Sequence, residues 1–147
     1  MKTAIVYYSN HHFNTERILE AIAKKYDVAL IDTFDTDTAD LSQYDMIGFA
    51  SGIYYSKFHK SVLEFARKHL PQGKKVFFIY TCGMERKGYT DAVSKIAKEK
   101  NSVIVCEYGC LGYNTSGPFK LIGGMAKGHP DAMDIDKAIR FFGEINK

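Results

Sequence analysis

Apolar positions along this chain follow two alternating rhythms. Short β-branched and aromatic runs, almost unbroken by polar residues, fall at residues 3–8 (TAIVYY), 28–31, 45–51 (DMIGFAS), 75–81 (KVFFIYT) and 103–108. Between them lie stripes at helical spacing: Ile18, Leu19, Ile22 and Tyr26, then Val62, Leu63, Ala66 and Leu70, then Ala92, Val93, Ile96 and Ala97. A last stripe after Pro130 carries Ile135, Ala138, Ile139, Phe142 and Ile145. Strands that are continuously apolar, rather than alternating, are buried on both faces, as in a parallel sheet between helical layers. The pattern predicts one α/β domain over residues 1–147. It is a doubly wound three-layer sandwich whose five-stranded parallel sheet has the order 2-1-3-4-5. Only residues 33–44 lack a helical stripe.

Composition adds little to that picture but removes several classes. With 147 residues, 46% hydrophobic and 25% charged, the chain has the material for one full core. No apolar run reaches the roughly 18 to 20 residues of a membrane span. No leader pattern precedes the first strand, so a cytoplasmic location is expected. The net charge of +3 is spread along the helices beside acidic residues, with no basic stripe interleaved with aromatics, which argues against nucleic acid. Cys82, Cys106 and Cys110 are too few for a disulfide framework or a metal cluster and read as free thiols. The acids at 35–40 fail as a calcium loop: the turn glycine would be Asp40 and the closing glutamate Met46. Residues 114–116 form a glycosylation sequon in form only.

Open parallel sheets bind ligands beyond the carboxyl ends of their strands, where the strand order reverses. In this order the reversal lies between the first and third strands, singling out loops 9–14 and 52–58, with 81–88 beside them. The first loop, Ser9-Asn10-His11-His12-Phe13-Asn14-Thr15, opens a helix that Asn14 or Thr15 is placed to cap. Short polar side chains and amides at a helix N-terminus suit a phosphate. Neither GxGxxG nor a P-loop ending is present, so a mononucleotide phosphate fits better than a pyrophosphate. The second loop sets Tyr54 beside Tyr55 at the mouth of a buried sheet, an exposure that a flat ligand would relieve. The third, Thr81-Cys82-Gly83-Met84, offers a close-approaching backbone whose amides suit polar ring atoms.

These segments resemble one family. IVYYSNHHFNTERI is similar to the phosphate loop of flavodoxins, and ASGIYYSKFHKSVLEF and YTCGMERKGY look like their two ring-binding loops. GCLGYNTSGPFKLIGGMAKGHPDAMD resembles the C-terminal part of a flavodoxin-like family found mainly in bacteria. The resemblance implies non-covalent FMN. Phosphate contacts would come from Ser9, Asn10, His11, His12, Asn14 and Thr15. Ring contacts would come from Ser51, Gly52, Ile53, Tyr54 and Tyr55, and from Thr81, Cys82, Gly83 and Met84. It implies a redox protein, monomer or homodimer, passing electrons from a reduced donor to a small-molecule or protein acceptor. A flavodoxin-type carrier and a quinone-reductase-like oxidoreductase both remain open. GIYYSKFHK also resembles flavodoxin-like protoporphyrinogen oxidases, and a non-redox binding module is a further alternative. No catalytic residue and no metal site is assigned.

Two departures from the family pattern stand out. Phe13 occupies a place usually held by glycine, so it must take an ordinary backbone angle or tolerate strain, with its ring turned outward. The surround is also basic: Lys57, His59 and Lys60 follow the second loop, and Arg86 and Lys87 lie in the third. A cation about 8 Å from the ring is worth roughly 1 to 2 kcal/mol, or about 20 to 45 mV for a two-electron couple. Finally, residues 110–130 form a long connection where two to six residues are usual, and are expected to rim the site. At its end Pro130 fits the first helical position and Asp131 the dipole.

Overall fold

A computed structural model describes residues 1–10, 12–113 and 124–147. In chain order the elements are β1 (Thr3–Tyr8), α1 (Asn14–Lys25), β2 (Val28–Asp32), β3 (Met46–Tyr54), β4 (Lys57–Phe58), α2 (Lys60–His69), β5 (Lys75–Cys82), α3 (Asp91–Glu99), β6 (Val103–Leu111) and α4 (Ala132–Ile145). Five long strands run parallel in the order β2-β1-β3-β5-β6, and the two-residue β4 folds back antiparallel on the end of β3. With β4 set aside, this is the expected 2-1-3-4-5 order.

Successive strand residues point to opposite faces, and both faces are filled. Ile5, Tyr7, Met46, Ala50, Phe77 and Ile79 pack with Ile18, Leu19 and Ile22 of α1 and Ala138 and Phe142 of α4. Val6, Ile47, Phe49, Val76 and Phe78 pack with Val62, Leu63, Phe65 and Ala66 of α2 and Val93, Ile96 and Ala97 of α3. The stretch after β2 forms no helix, as its pattern predicted. It contributes the fully buried Leu41 to the α2–α3 side, while Asp32 and Asp40 accept hydrogen bonds from the amides of Phe34 (2.9 Å) and Ser42 (3.0 Å). Those acids shape turns. Among the described residues no helix is long and apolar enough to cross a membrane.

The start of α4 brings a correction. Pro130 does not open α4; Asp131 is its N-cap, in a reciprocal capping box with Asp134. The Asp131 carboxylate accepts from the Asp134 amide at 2.9 Å, and Asp134 accepts from the Asp131 amide at 2.8 Å.

Two glycines are fixed by the sheet's own packing. Gly48 pairs with Phe77 across β3 and β5, and Gly109 pairs with Tyr80 across β5 and β6. Each aromatic ring lies over its glycine partner, so a Cβ on Gly48 would stand 2.4 Å from the Phe77 ring and one on Gly109 2.1 Å from the Tyr80 ring. Gly48→Ala is expected to cost about 1 to 3 kcal/mol by overpacking. In urea unfolding, the double variant with Phe77→Leu should lose less than the two single losses combined, because the smaller side chain vacates the space the new methyl needs.

Candidate functional site

The carboxyl ends of β1, β3, β5 and β6 enclose a cleft with about 510 Å³ of space, partly open to solvent. Its floor is built where each apolar strand runs out. From β1 and α1 come Ser9, Asn14 and Thr15; from β3 come Gly52, Ile53 and Tyr54; from β5 come Thr81, Cys82 and Gly83. The chain after β6 adds Gly112 and Tyr113.

Helix α1 is capped in an unforeseen way. Asn14 and Thr15 are its first two residues, and the N-cap position falls on Phe13, whose side chain caps nothing. Ser9 does the work from seven residues upstream: its Oγ accepts the Glu16 amide at 3.0 Å. Asn14, buried, turns across the cleft instead. Its Nδ2 donates to the Tyr113 carbonyl at 2.8 Å and its Oδ1 accepts from Arg17 at 2.9 Å. Thr15 and Thr81 join their hydroxyls at 2.9 Å in a buried contact between α1 and β5. His12 and Phe13 both have positive φ, 58° and 53°, a region costly for side-chain-bearing residues. Phe13 therefore tolerates the strain, and its ring is half exposed as expected.

The second segment is more regular than its sequence suggested. Strand β3 continues through Gly52 to Tyr54, so these positions are strand rather than loop. Tyr54 pairs with Lys57, leaving Tyr55 and Ser56 as a two-residue hairpin turn with φ of 53° and 65°. Both angles are those of a type I′ turn, which ordinarily takes Asn and Gly. Ser51 is fully buried and lies outside the cleft lining, holding the His59 amide at 3.0 Å and bonding to the Gly52 carbonyl.

His59 is likewise a framework residue and not the free cation its sequence suggested. Its ring stacks on Tyr8 at 3.7 Å and meets Tyr54 edge-on at 4.9 Å. Its Nδ1 accepts the Ser61 amide at 3.1 Å, capping α2. Accepting that proton places the ring's own proton on Nε2. Burial, and then the neighbouring Lys60 charge, push its pKa below the usual histidine value, so the ring is neutral at pH 7. Lys57, Lys60, Arg86 and Lys87 are exposed.

On the third segment, β5 carries Thr81 and Cys82 as strand residues. The Tyr89 hydroxyl donates to the Met84 carbonyl at 2.6 Å and fixes the turn that follows. Met84 itself points out of the cleft, 38% exposed. Burial drives the Cys82 thiol up to about 11 and the Cys110 thiol up to about 12, so neither is a thiolate at neutral pH.

The expected contacts thus divide. Ser9, Asn14, Thr15, Gly52, Ile53, Tyr54, Thr81, Cys82 and Gly83 are brought together in one cleft. Asn10 and Tyr55 are exposed outside it, Ser51 lies beneath it, and the exposed His12 makes a ring contact with Tyr113 at 4.6 Å. His11 and residues 114–123 lie outside the described residues. Gly112 and Tyr113 were foreseen only as part of a long rim, and the signal for them was a glycine placed directly after a strand. A Cβ on Gly112 would stand 2.8 Å from Asn14 Nδ2, so any larger residue there must displace the Asn14 side chain. The rim leaves and returns at one place, where the Tyr113 amide donates to the His129 carbonyl at 2.8 Å.

The sequence profile of the flavodoxin domain matches residues 5–115. An uncharacterized protein of Methanocaldococcus jannaschii is 40% identical over 151 residues, covering 100% of this chain and 99% of that one. Among solved structures, the oxidised flavodoxin 2 of Bacillus cereus superposes with a TM-score of 0.70 at 19% identity, covering 99% of each chain. A flavoprotein of Lactobacillus acidophilus in complex with FMN superposes with a TM-score of 0.56 at 17% identity, over 74% of this chain and 92% of that one.

The state of His59 gives a pH signature. Its folded pKa lies below the value of 6.5 that it regains on unfolding, so the unfolded chain takes up the proton first as pH falls. Its stabilising contribution is complete above about pH 6.5 and is lost below it. His59→Asn keeps a capping side chain and removes the titration. Urea unfolding at about pH 7.5 and pH 5 should show the parent losing more stability on acidification than the variant.

Proposed function

The chain belongs to the flavodoxin domain family, and on that premise we propose that it is an FMN-binding redox protein carrying electrons from a reduced donor to an acceptor. The observation that supports this most is the make-up of the cleft at the strand-order reversal. Among the described residues it is lined by hydroxyls, an amide side chain, a helix N-terminus and three glycines, with no carboxylate or imidazole among them. Such a lining suits binding and orientation and offers no general acid–base pair.

The residues present fit FMN. Ser9, Asn14 and Thr15 stand at the N-terminus of α1, where hydroxyls, amides and the helix dipole favour a phosphate dianion. Gly52, Ile53 and Tyr54 on one side and Thr81, Cys82 and Gly83 on the other would flank the ring system. Gly112 is the cradle that a larger residue would fill. When bound, FMN supplies the electron-accepting chemistry. The chain's part is to exclude a Cβ from the cleft, hold its walls through the Thr15–Thr81 and Asn14–Tyr113 bonds, and keep the Cys82 thiol protonated beside the ring.

Titrating the purified chain with FMN tests this. Saturable uptake with an absorbance band near about 450 nm and a rise in Tm are expected. Gly112→Ala, which pushes Asn14 out of place, should weaken FMN binding by about tenfold or more. A parent protein that gains neither absorbance nor thermal stability from FMN would sink the proposal.

A further inference from the structure

Around the mouth of the cleft the fold holds apolar side chains out in water. Phe13 is 51% exposed, Tyr55 98% and Met84 38%. Each is the direct chain neighbour of a residue lining the cleft: Asn14, Tyr54 and Gly83. Scattered exposed apolar residues are ordinary. One on each of three segments around a single opening makes a collar.

Two of the three sit in backbone that resists them. Phe13 and Tyr55 both have φ of 53°, a conformation that side-chain-bearing residues rarely adopt. Tyr55 gains no burial in return. Strain kept without internal compensation is a mark of a functional surface.

Charge is arranged on the same rim. Lys57 faces Tyr54 across the hairpin, Arg86 Nη2 lies 3.5 Å from the Met84 sulfur, and Lys87 follows it. All three are exposed. Residues 52–60 contain no acid, and Glu85 is the one acid in 81–88. The acids Asp32, Asp35 and Asp37 belong to the end of β2 and the turn after it, and β1 separates that strand from β3. The mouth is therefore positive over β3 and β5.

We propose that this collar is the docking surface for an acidic electron-transfer protein, one whose cofactor-bearing face is apolar and fringed with carboxylates. The inference rests on the FMN reading above. A modest apolar centre with a charged rim is the make-up of transient redox interfaces, in which charge steers encounter and sets orientation. Tyr55 at the hairpin tip stands clear in solvent, where the face of a docked protein would cover it.

The test uses the FMN-loaded protein and two oxidised probes, a strongly acidic plant-type ferredoxin and the basic cytochrome c, titrated calorimetrically. The ferredoxin should bind at low salt and weaken about tenfold or more between about 20 and 200 mM salt. Reversing Lys57→Glu, Arg86→Glu and Lys87→Glu together should weaken it at least about tenfold, and Tyr55→Ser several-fold at equal FMN loading. Tighter binding of cytochrome c, absence of ferredoxin binding, or ferredoxin binding untouched by either variant overturns the proposal. Saturable binding of the quinone menadione without ferredoxin binding also overturns it, and assigns the collar to a small acceptor. Failure of the parent to take up FMN instead rejects the function on which the docking rests, whereas FMN uptake without ferredoxin binding rejects the docking alone.

Discussion

Strands β1, β3 and β5 are covered on both faces by helices, so polar chemistry can be offered to solvent only where those strands end. At that edge the residues change character within a step or two. Tyr8 gives way to Ser9, Ala50 to Ser51 and Gly52, and Ile79 to Thr81 two residues before Gly83. Because the chain first winds outward to β2 and then returns to β3, the two neighbouring ends face connections that leave in opposite directions. The cleft is the gap between them, and the Asn14 and Thr15 side chains brace it from one wall to the other.

Most of the fold was legible because it rests on period and burial. Continuous apolar runs such as KVFFIYT have one stable environment, and the stripe from Ile18 to Ile22 has another. What was not legible depends on distant partners. Gly52 to Tyr54 read as loop, and become strand because Gly52 pairs with Thr81 of β5 while Ile53 and Tyr54 pair with β4, whose two residues carry no strand signal of their own. The cap of α1 was assigned to residues adjoining the helix, whereas the oxygen that accepts comes from Ser9. His59 read as a cation, and Tyr8, on which its ring stacks, comes from β1, far back in the chain. Gly112 acquires its meaning from Asn14, far back in the sequence.

The departures from regular backbone are concentrated at the same edge. His12, Phe13, Tyr55 and Ser56 all take positive φ, while the strands beneath them run in regular parallel register. The segments are held from below: Ser51 grips the His59 amide, Tyr89 grips the Met84 carbonyl, and Ser9 grips the start of α1. A well-packed sheet thus carries strained tips on rigid mounts, and displacement of the tips is opposed by the bonds that hold their bases.

The hydrogen bond from the Tyr113 amide to the His129 carbonyl has a consequence for the length of chain between them. It closes the base of the excursion between β6 and α4 independently of what lies between the two residues. Closing a longer loop costs little extra once its ends are fixed. A change of length in that interval therefore costs little chain entropy as long as the bond between Tyr113 and His129 holds its two ends together.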